Sequence, residues 1–183
     1  MSARAARPQD IPAWQPPGPV SAAFCDAGEA VSVLMGPIAG GKTTTSLQRG
    51  VMAAMAWPET KPGLRKVRFG VVRRLMVDLE RTTIPSWQHW FPRALGSWRG
   101  ARGEPQTQEI AFQHPRGGRI ELEVVFRGIG DQDIDQALRG WEVSYAYVDE
   151  CDTLAPGALL WLLTRLGRYP SETLHRNPTR LWG

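Results

Sequence analysis

The segment Gly36–Thr43 has the residue types and the spacing that bind nucleotide phosphates. It reads Gly-Pro-Ile-Ala-Gly-Gly-Lys-Thr and fits the pattern G-x-x-x-x-G-K-[ST]. Glycine lets a loop curl closely around a phosphate, and a helix that starts at the loop favours anions at its N-terminus. The pattern predicts that Lys42 reaches the β- and γ-phosphates of ATP and that the Thr43 hydroxyl binds Mg²⁺. We expect the nucleotide to contact Gly36, Pro37, Ile38, Ala39, Gly40, Gly41, Lys42, Thr43 and Thr44.

A pair of acids forms the second candidate site. The apolar run Val143–Val148 predicts a strand, and Asp149 and Glu150 follow it directly. In proteins with such a phosphate loop, the Asp at a strand tip holds Mg²⁺ through water. A Glu directly after it can polarise the attacking water. We therefore predict that Asp149 and Thr43 are the magnesium residues and that Glu150 is catalytic.

Glu150 also bears on the class of reaction. A small-molecule kinase transfers phosphate to an acceptor and has to keep water away from the reacting phosphate. Motors and helicases hydrolyse ATP and need a water-activating acid. The Asp149-Glu150 pair therefore favours hydrolysis coupled to mechanical work.

The remaining chain alternates strand-like and helix-like segments. That alternation predicts a mostly parallel sheet with helices on both faces, a three-layer α/β/α fold. An apolar run that precedes the phosphate loop predicts a strand, and helical spacing follows the loop. The predicted strands are Ala30–Met35, Val67–Val72 and Val143–Val148, and the predicted helices are Lys42–Ala56, Leu75–Trp90 with an interruption at Pro85, and Pro156–Arg168.

A β-hairpin is predicted within this alternation. Its two strands are Gln108–Gln113 and Arg119–Arg127, and in the second strand apolar and charged residues alternate, which is typical of a sheet with one wet face. Residues 96–107 are rich in Gly, Arg and Gln and predict a loop.

The two ends of the chain give weaker signals. Residues 1–29 are rich in Pro, Ala and Gly, which disfavours a long helix and predicts an arm, with Trp14 or Phe24 docked on the domain 30–183. The stretch Tyr169–Gly183 has no clear periodicity. No apolar run has the form of a secretion signal or the length of a membrane span.

The chain is basic, with 183 residues, a formal net charge of +4 and 22 Lys and Arg residues, of which only Lys42, Lys61 and Lys66 are lysine. A basic net charge suits a phosphate-rich partner. Arginine binds phosphate through a planar fork of donors, although codon bias in a GC-rich genome explains the preference for arginine equally well. Cys25 and Cys151 have no metal-ligand spacing, which indicates a reduced, intracellular protein.

Read in order, several stretches resemble the large terminase subunit of tailed bacteriophages. The T-T-x-x-x-W and R-x-G-R-Y-P patterns are more particular to these packaging ATPases than the phosphate loop, and the resemblance covers residues 18–175. The stretches are Met35–Thr43, Val72-Arg73-Arg74, Thr82-Thr83-Ile84-Pro85-Ser86-Trp87, Trp90-Phe91-Pro92, Leu138–Glu142, Asp149-Glu150 and Arg165–Ser171.

The resemblance implies a P-loop ATPase domain of the additional-strand, catalytic-glutamate type with a β-hairpin insertion. Members of that family move double-stranded DNA into a preformed capsid in the host cell cytoplasm. They act as a homo-oligomeric ring, usually taken as a pentamer, on the portal and together with a small terminase subunit. A neighbouring subunit supplies an arginine finger, for which Arg139 is the closest match by position. Arg73, Arg74, Arg165 and Arg168 are rivals.

The sequence departs from the family pattern in two ways. Some members carry an Arg inside the phosphate loop, where this chain has Pro37, Ile38 and Ala39. The chain also stops at Gly183, where we expect the family's next strand, its coupling motif and then its nuclease domain to follow. A sheet that lacks strands would leave an exposed edge. An excised fragment and a short product of a degenerate or split gene are both compatible with this end.

Three other functions stay open at this stage. One is another P-loop motor such as a helicase-like ATPase, and a second is a small-molecule kinase. The third is a non-catalytic remnant that only binds nucleotide or sister subunits.

Overall fold

A seven-stranded sheet organises the computed structural model, which describes residues 13–37, 39–130 and 137–183. The strands are β1 Val31–Ser32, β2 Leu64–Arg73, β3 Gly96–Arg99, β4 Gln106–Gln113, β5 Arg119–Gly128, β6 Tyr145–Val148 and β7 Leu181–Trp182. The helices are α1 Pro19–Asp26, α2 Lys42–Ala56, α3 Met76–Asp78, α4 Ile84–Trp90 and α5 Pro156–Leu163, with a π-helical turn at Leu79–Thr83 and 3₁₀ turns at Arg93–Leu95, Cys151–Thr153 and Ser171–Arg176.

The strand order is β1-β7-β6-β2-β5-β4-β3. The first five strands in this order pair in parallel, and β4 and β3 add an antiparallel edge. The predicted mostly parallel sheet is therefore confirmed, and so is the hairpin, in which Ile110 of β4 lies opposite Leu122 of β5. Because parallel strands point the same way, the carboxyl ends of β1, β7, β6, β2 and β5 meet at one edge of the sheet.

Two apolar cores lie on the two faces of the sheet. On one face, α2 and α4 cover an aromatic cluster in which the rings of Tyr145 and Trp182 stack with centroids 5.4 Å apart. On the other face, Val72 and Val148 pack with Leu162 of α5. Helices thus cover both faces, as the predicted three-layer α/β/α fold requires.

The two-residue strand β7 corrects the prediction for the C-terminal stretch. Leu181 and Trp182 are buried between β1 and β6, and Leu181 pairs with Val31 on one side and Ala146 on the other. Strand β7 thus gives both β1 and β6 a partner, so the exposed edge that a missing strand would leave is not present between them. It is the additional strand between the phosphate-loop strand and the acid-bearing strand.

The strand before the phosphate loop is shorter than predicted. Of the run Ala30–Met35, only Val31–Ser32 is a strand. The side chains of Val33 and Met35 are exposed, because the chain here leaves the sheet edge and turns toward the loop. One further backbone bond, from Leu34 N to Gly183 O at 2.7 Å, continues the contact with the C-terminus.

One predicted boundary is wrong at the antiparallel edge, and the arm contains a short helix. Part of the predicted loop 96–107 is the strand β3, which pairs with β4, so its polar residues lie on an edge strand. The Pro-rich arm contains the eight-residue helix α1, which Pro19 can start because a first-turn proline has no N–H to lose. As expected, Phe24 docks on the domain; its ring lies 4.3 Å from the Arg49 guanidinium carbon.

The predicted helices also differ in detail. Pro85 does not interrupt Leu75–Trp90; the helix begins at Met76 and passes through the π-helical turn, and Pro85 lies in the first turn of α4. The helix predicted over Pro156–Arg168 ends at Leu163, although Leu166 still packs in the core. Across the described ranges, no helix has both the length and the apolar character that crossing a membrane needs.

Gly50 tests how closely α2 packs on the sheet. A Cβ atom there would lie 2.2 Å from Phe69 Cε1, and the Gly50 carbonyl accepts a 2.6 Å hydrogen bond from the Tyr145 hydroxyl. We predict that Gly50→Ala lowers the free energy of unfolding by about 1–3 kcal/mol, since overpacking forces helix and sheet apart. Urea unfolding followed by circular dichroism measures it.

Gly157→Ala is the matched control, because a Cβ at this helical position meets nothing within 4 Å. We expect it to change the free energy of unfolding by less than about 1 kcal/mol. Equal unfolding midpoints for Gly50→Ala and the unsubstituted protein would contradict the close packing.

Candidate nucleotide-binding site

A cleft of about 500 Å³ opens at the carboxyl edge of the sheet. It lies between the phosphate loop at the start of α2 and the acids that follow β6. The structure therefore brings Lys42 and Thr43 to the same cavity as Asp149 and Glu150. Its lining also includes Met35, Gly36, Ala39, Ser46, Tyr147, Cys151, Asp152 and Gly183.

The phosphate loop curls around the Lys42 ammonium group. Lys42 Nζ donates to the carbonyl oxygen of Gly36 at 2.7 Å and to that of Pro37 at 2.6 Å. Gly41 has φ 73°, a left-handed backbone that explains the need for glycine just before the helix. Ile38, also predicted to contact nucleotide, lies outside the described residues.

The start of α2 offers backbone donors to an anion. The helix begins at Lys42, and no side chain caps it by a hydrogen bond at Gly41. The first N–H groups of a helix have no partner within the helix, and the helix dipole favours negative charge there. Thr43 and Thr44 are half-buried in this first turn, so the turn can bind phosphate oxygens.

Asp149 is buried, with 6% of its surface exposed, and three side chains donate to its carboxylate. Its Oδ1 accepts from the Tyr147 hydroxyl at 2.5 Å, and its Oδ2 accepts from the Thr83 hydroxyl at 2.5 Å and from Arg73 Nη1 at 3.3 Å. The donors from Arg73 and Thr83 come from β2 and from the π-helical turn. These contacts satisfy a carboxylate that burial would otherwise destabilise.

Glu150 differs from its neighbour because its side chain is half exposed, at 53%. Its backbone is left-handed, with φ 52°, which is uncommon for a residue other than glycine. The chain turns sharply here, so the two carboxylates part. Glu150 Oε2 forms an ion pair with Nη2 of Arg73, whose side chain is only 11% exposed.

Arg73 is thus shared by both acids. Its Nη1 also donates to the Thr82 hydroxyl at 2.7 Å. The sequence suggested Arg73 only as a rival arginine finger for a neighbouring subunit, whereas the structure places it in the site of its own chain. The resemblance of Val72-Arg73-Arg74 to the family pattern singled out Arg73, but it did not indicate that Arg73 contacts Thr82, Asp149 and Glu150.

Tyr147 was missed by the sequence reasoning, because a tyrosine in an apolar strand looks like a core residue. Its hydroxyl donates to Asp149, and its side chain lines the cleft together with Thr43 and Ser46. Burial raises the pKa of Tyr147, and the negative charge of Asp149 raises it further. The phenol therefore keeps its proton and remains a donor.

Arg139 does not line the cleft. It lies in an exposed turn after the buried Leu138. The rivals Arg74 and Arg168 are also exposed, and Arg165 is half-buried near the end of α5. None of these four arginines is among the residues that line the described cavity.

The donors in the cleft suit magnesium better than a transition metal. Within the described ranges no group of three or more His, Cys, Asp or Glu residues could hold a metal ion. Magnesium keeps several waters and takes one or two protein oxygens together with substrate phosphates. The Thr43 hydroxyl and the Asp149 carboxylate are oxygen donors of that kind.

At the level of sequence, no protein-family model and no curated protein matches the chain. Solved structures do match. The large terminase of a thermophilic bacteriophage aligns with a TM-score of 0.59 and 17% identity over 92% of this chain and 35% of that one. The complex of the same large terminase with ADP aligns with a TM-score of 0.56 and 15% identity over 89% and 37%.

The ATPase domain of the Thermus phage P74-26 large terminase aligns with a TM-score of 0.53 and 15% identity, over 91% of this chain and 64% of that domain. The chain spans about a third of the length of the first large terminase. These identities are low, so the likeness is one of fold. The chain therefore has the P-loop NTPase fold of phage large-terminase ATPase domains, in agreement with the resemblance in its sequence.

Proposed function

We propose that the chain is a magnesium-dependent ATPase whose hydrolysis of ATP drives double-stranded DNA into a viral capsid. The observation that carries the proposal is the cleft in which the phosphate loop faces Asp149 and Glu150. The fold shared with large-terminase ATPase domains, one of them solved with ADP, supports the same reading.

The phosphate loop binds the nucleotide in this proposal. Lys42 exchanges its two carbonyl partners for the β- and γ-phosphates, and the first turn of α2 donates its N–H groups. Thr43 and Asp149 would hold magnesium, which would supply positive charge against the phosphate oxygens.

Glu150 orients the attacking water. Its ion pair with Arg73 uses Oε2, which leaves Oε1 for the water. The half-exposed side chain lets water reach the carboxylate, unlike the buried Asp149. Hydrolysis rather than transfer to an acceptor follows from an acid in this position, which distinguishes the proposed ATPase from a kinase.

Arg139 completes the site of a neighbouring subunit. A guanidinium outside its own cleft and on an exposed turn suits a role in trans. The resemblance also implies where the chain acts and with which partners. It would form a homo-oligomeric ring on the portal, together with a small terminase subunit, would hold duplex DNA by its backbone, and would act in the host cell cytoplasm.

Replacement of the loop lysine tests nucleotide binding. We predict that Lys42→Ala lowers the affinity for fluorescent mant-ATP by about 100-fold or more, since charge-assisted hydrogen bonds contribute roughly 1.5–3 kcal/mol each. Lys61→Ala, at an exposed position away from the cleft, is the control. Equal affinities in a fluorescence titration of the two variants would refute the phosphate role of Lys42.

Removal of the water-orienting acid tests catalysis. We predict that Glu150→Ala binds mant-ATP normally but turns over ATP about 10²- to 10⁴-fold more slowly, as expected when a general base is lost. Phosphate release is best followed at high protein concentration, because the isolated chain should be a weak ATPase without its neighbour's arginine. Asp152→Ala, which changes another cleft acid, is the control. Normal turnover by Glu150→Ala would disprove the assignment.

A mixing experiment tests the trans arginine. We predict that Arg139→Ala binds nucleotide but loses about 10³- to 10⁵-fold in turnover, the range for arginine fingers. Mixing Arg139→Ala with Glu150→Ala should restore part of the activity, because some mixed interfaces then join an intact Arg139 to an intact Glu150. If no activity returns although the subunits exchange, Arg139 does not act across an interface.

A further inference from the structure

The Asp149 carboxylate has almost no hydrogen-bonding capacity left for a ligand. An ionised carboxylate offers about four lone-pair sites. Tyr147, Thr83 and Arg73 take three of them, two through hydroxyl contacts of 2.5 Å. One site remains, which suits a single hydrogen bond from a metal-bound water and not direct coordination by both oxygens.

The backbone of Asp149 is fixed as well. Its N–H donates to Val72 O at 2.8 Å, so the residue continues the pairing of β6 with β2. With the backbone held, the side-chain torsions alone decide where the free lone pair points. The Tyr147 hydroxyl donates to Oδ1 and the Thr83 hydroxyl to Oδ2, so both carboxylate oxygens are held and the torsions are fixed.

Tyr147 lines the cleft together with both predicted magnesium residues, Thr43 and Asp149. A phenol can donate one hydrogen bond and accept others. Its hydroxyl donates to Asp149, the residue that follows β6, and its side chain is nearly fully buried. The phenol therefore holds the Asp149 carboxylate in the cleft that Thr43 also lines.

Thr83 reaches Asp149 because of the helix type that carries it. The wider π-helical turn Leu79–Thr83 places two consecutive hydroxyls in the site, Thr82 against Arg73 and Thr83 against Asp149. π-helical turns occur frequently at functional sites. Thr83 is fully buried behind Asp149, and it is not among the described residues that line the cleft.

We propose that Tyr147 and Thr83 are positioning residues for the magnesium site. Their hydroxyls orient Asp149 toward the metal-bound water beside Thr43. The inference rests on the proposed binding of Mg-ATP in the cleft. Partners that orient metal ligands typically contribute 10- to 100-fold in metal affinity. Both hydroxyls act through Asp149 rather than on the nucleotide, so binding of nucleotide without metal should not depend on them.

The test compares binding of mant-AMP-PNP, a non-hydrolysable ATP analogue, in Mg²⁺ and in EDTA. The ratio of the two dissociation constants reports the metal's contribution without any turnover. We expect Tyr147→Phe and Thr83→Val each to reduce this ratio by about 10- to 100-fold, with binding in EDTA unchanged. Thr83→Ser keeps the hydroxyl and should retain the wild-type ratio.

Two matched controls separate positioning from general loss of a buried hydroxyl. Tyr145→Phe removes a hydroxyl bonded to Gly50 O, and Thr173→Val removes one bonded to Pro170 O, both in buried positions. Both controls should keep the wild-type ratio. Thermal unfolding of every variant verifies that it is folded.

The outcomes distinguish the inference from the proposed function. If the wild type fails to bind mant-AMP-PNP, or binds it equally well in EDTA, the proposed Mg-ATP function fails and the inference with it. If binding of mant-AMP-PNP by the wild type depends on Mg²⁺, and binding by Tyr147→Phe and by Thr83→Val depends on it to the same extent, only the inference is overturned. A loss by Thr83→Ser or by the controls as large as that of Thr83→Val overturns it too.

Discussion

Parallel pairing of β6 between β7 and β2 is the constraint on which the site depends. It brings the end of β6 to the same edge as the phosphate loop, and the bond from Asp149 N to Val72 O carries the pairing one residue past the strand. Arg73, the last residue of β2, is then beside both acids. A shift of this register by one residue would turn Asp149 to the other face of the sheet.

Two adjacent carboxylates have different environments in this frame. Asp149 is buried among hydroxyl donors, whereas the left-handed backbone at Glu150 directs the next side chain into solvent. The shared guanidinium of Arg73 offsets the repulsion that two neighbouring acids would otherwise have. In the proposed function, Asp149 would hold a metal-bound water and Glu150 would orient the water that attacks.

The likeness in fold to large-terminase ATPase domains persists at 15–17% identity.

The features that the sequence determined by itself are those with a local pattern. The phosphate loop was identifiable because the backbone at Gly41 demands glycine and the spacing to Lys42 is fixed by the loop. The hairpin followed from alternation with period two, and α2 from helical spacing, since each pattern records which face is buried.

Only the tertiary structure decided the contacts between distant residues. Strand β7 is two residues long, too short for any periodicity, and it is a strand because β1 and β6 supply partners on both sides. Arg73 and Thr83 meet Asp149 across 76 and 66 residues of chain. Tyr147 has the pattern of a core residue, and its hydroxyl acquires a role only because the structure turns the Asp149 carboxylate toward it. Hydrogen bonds of this kind leave no local pattern, because each partner is set by the packing of another element.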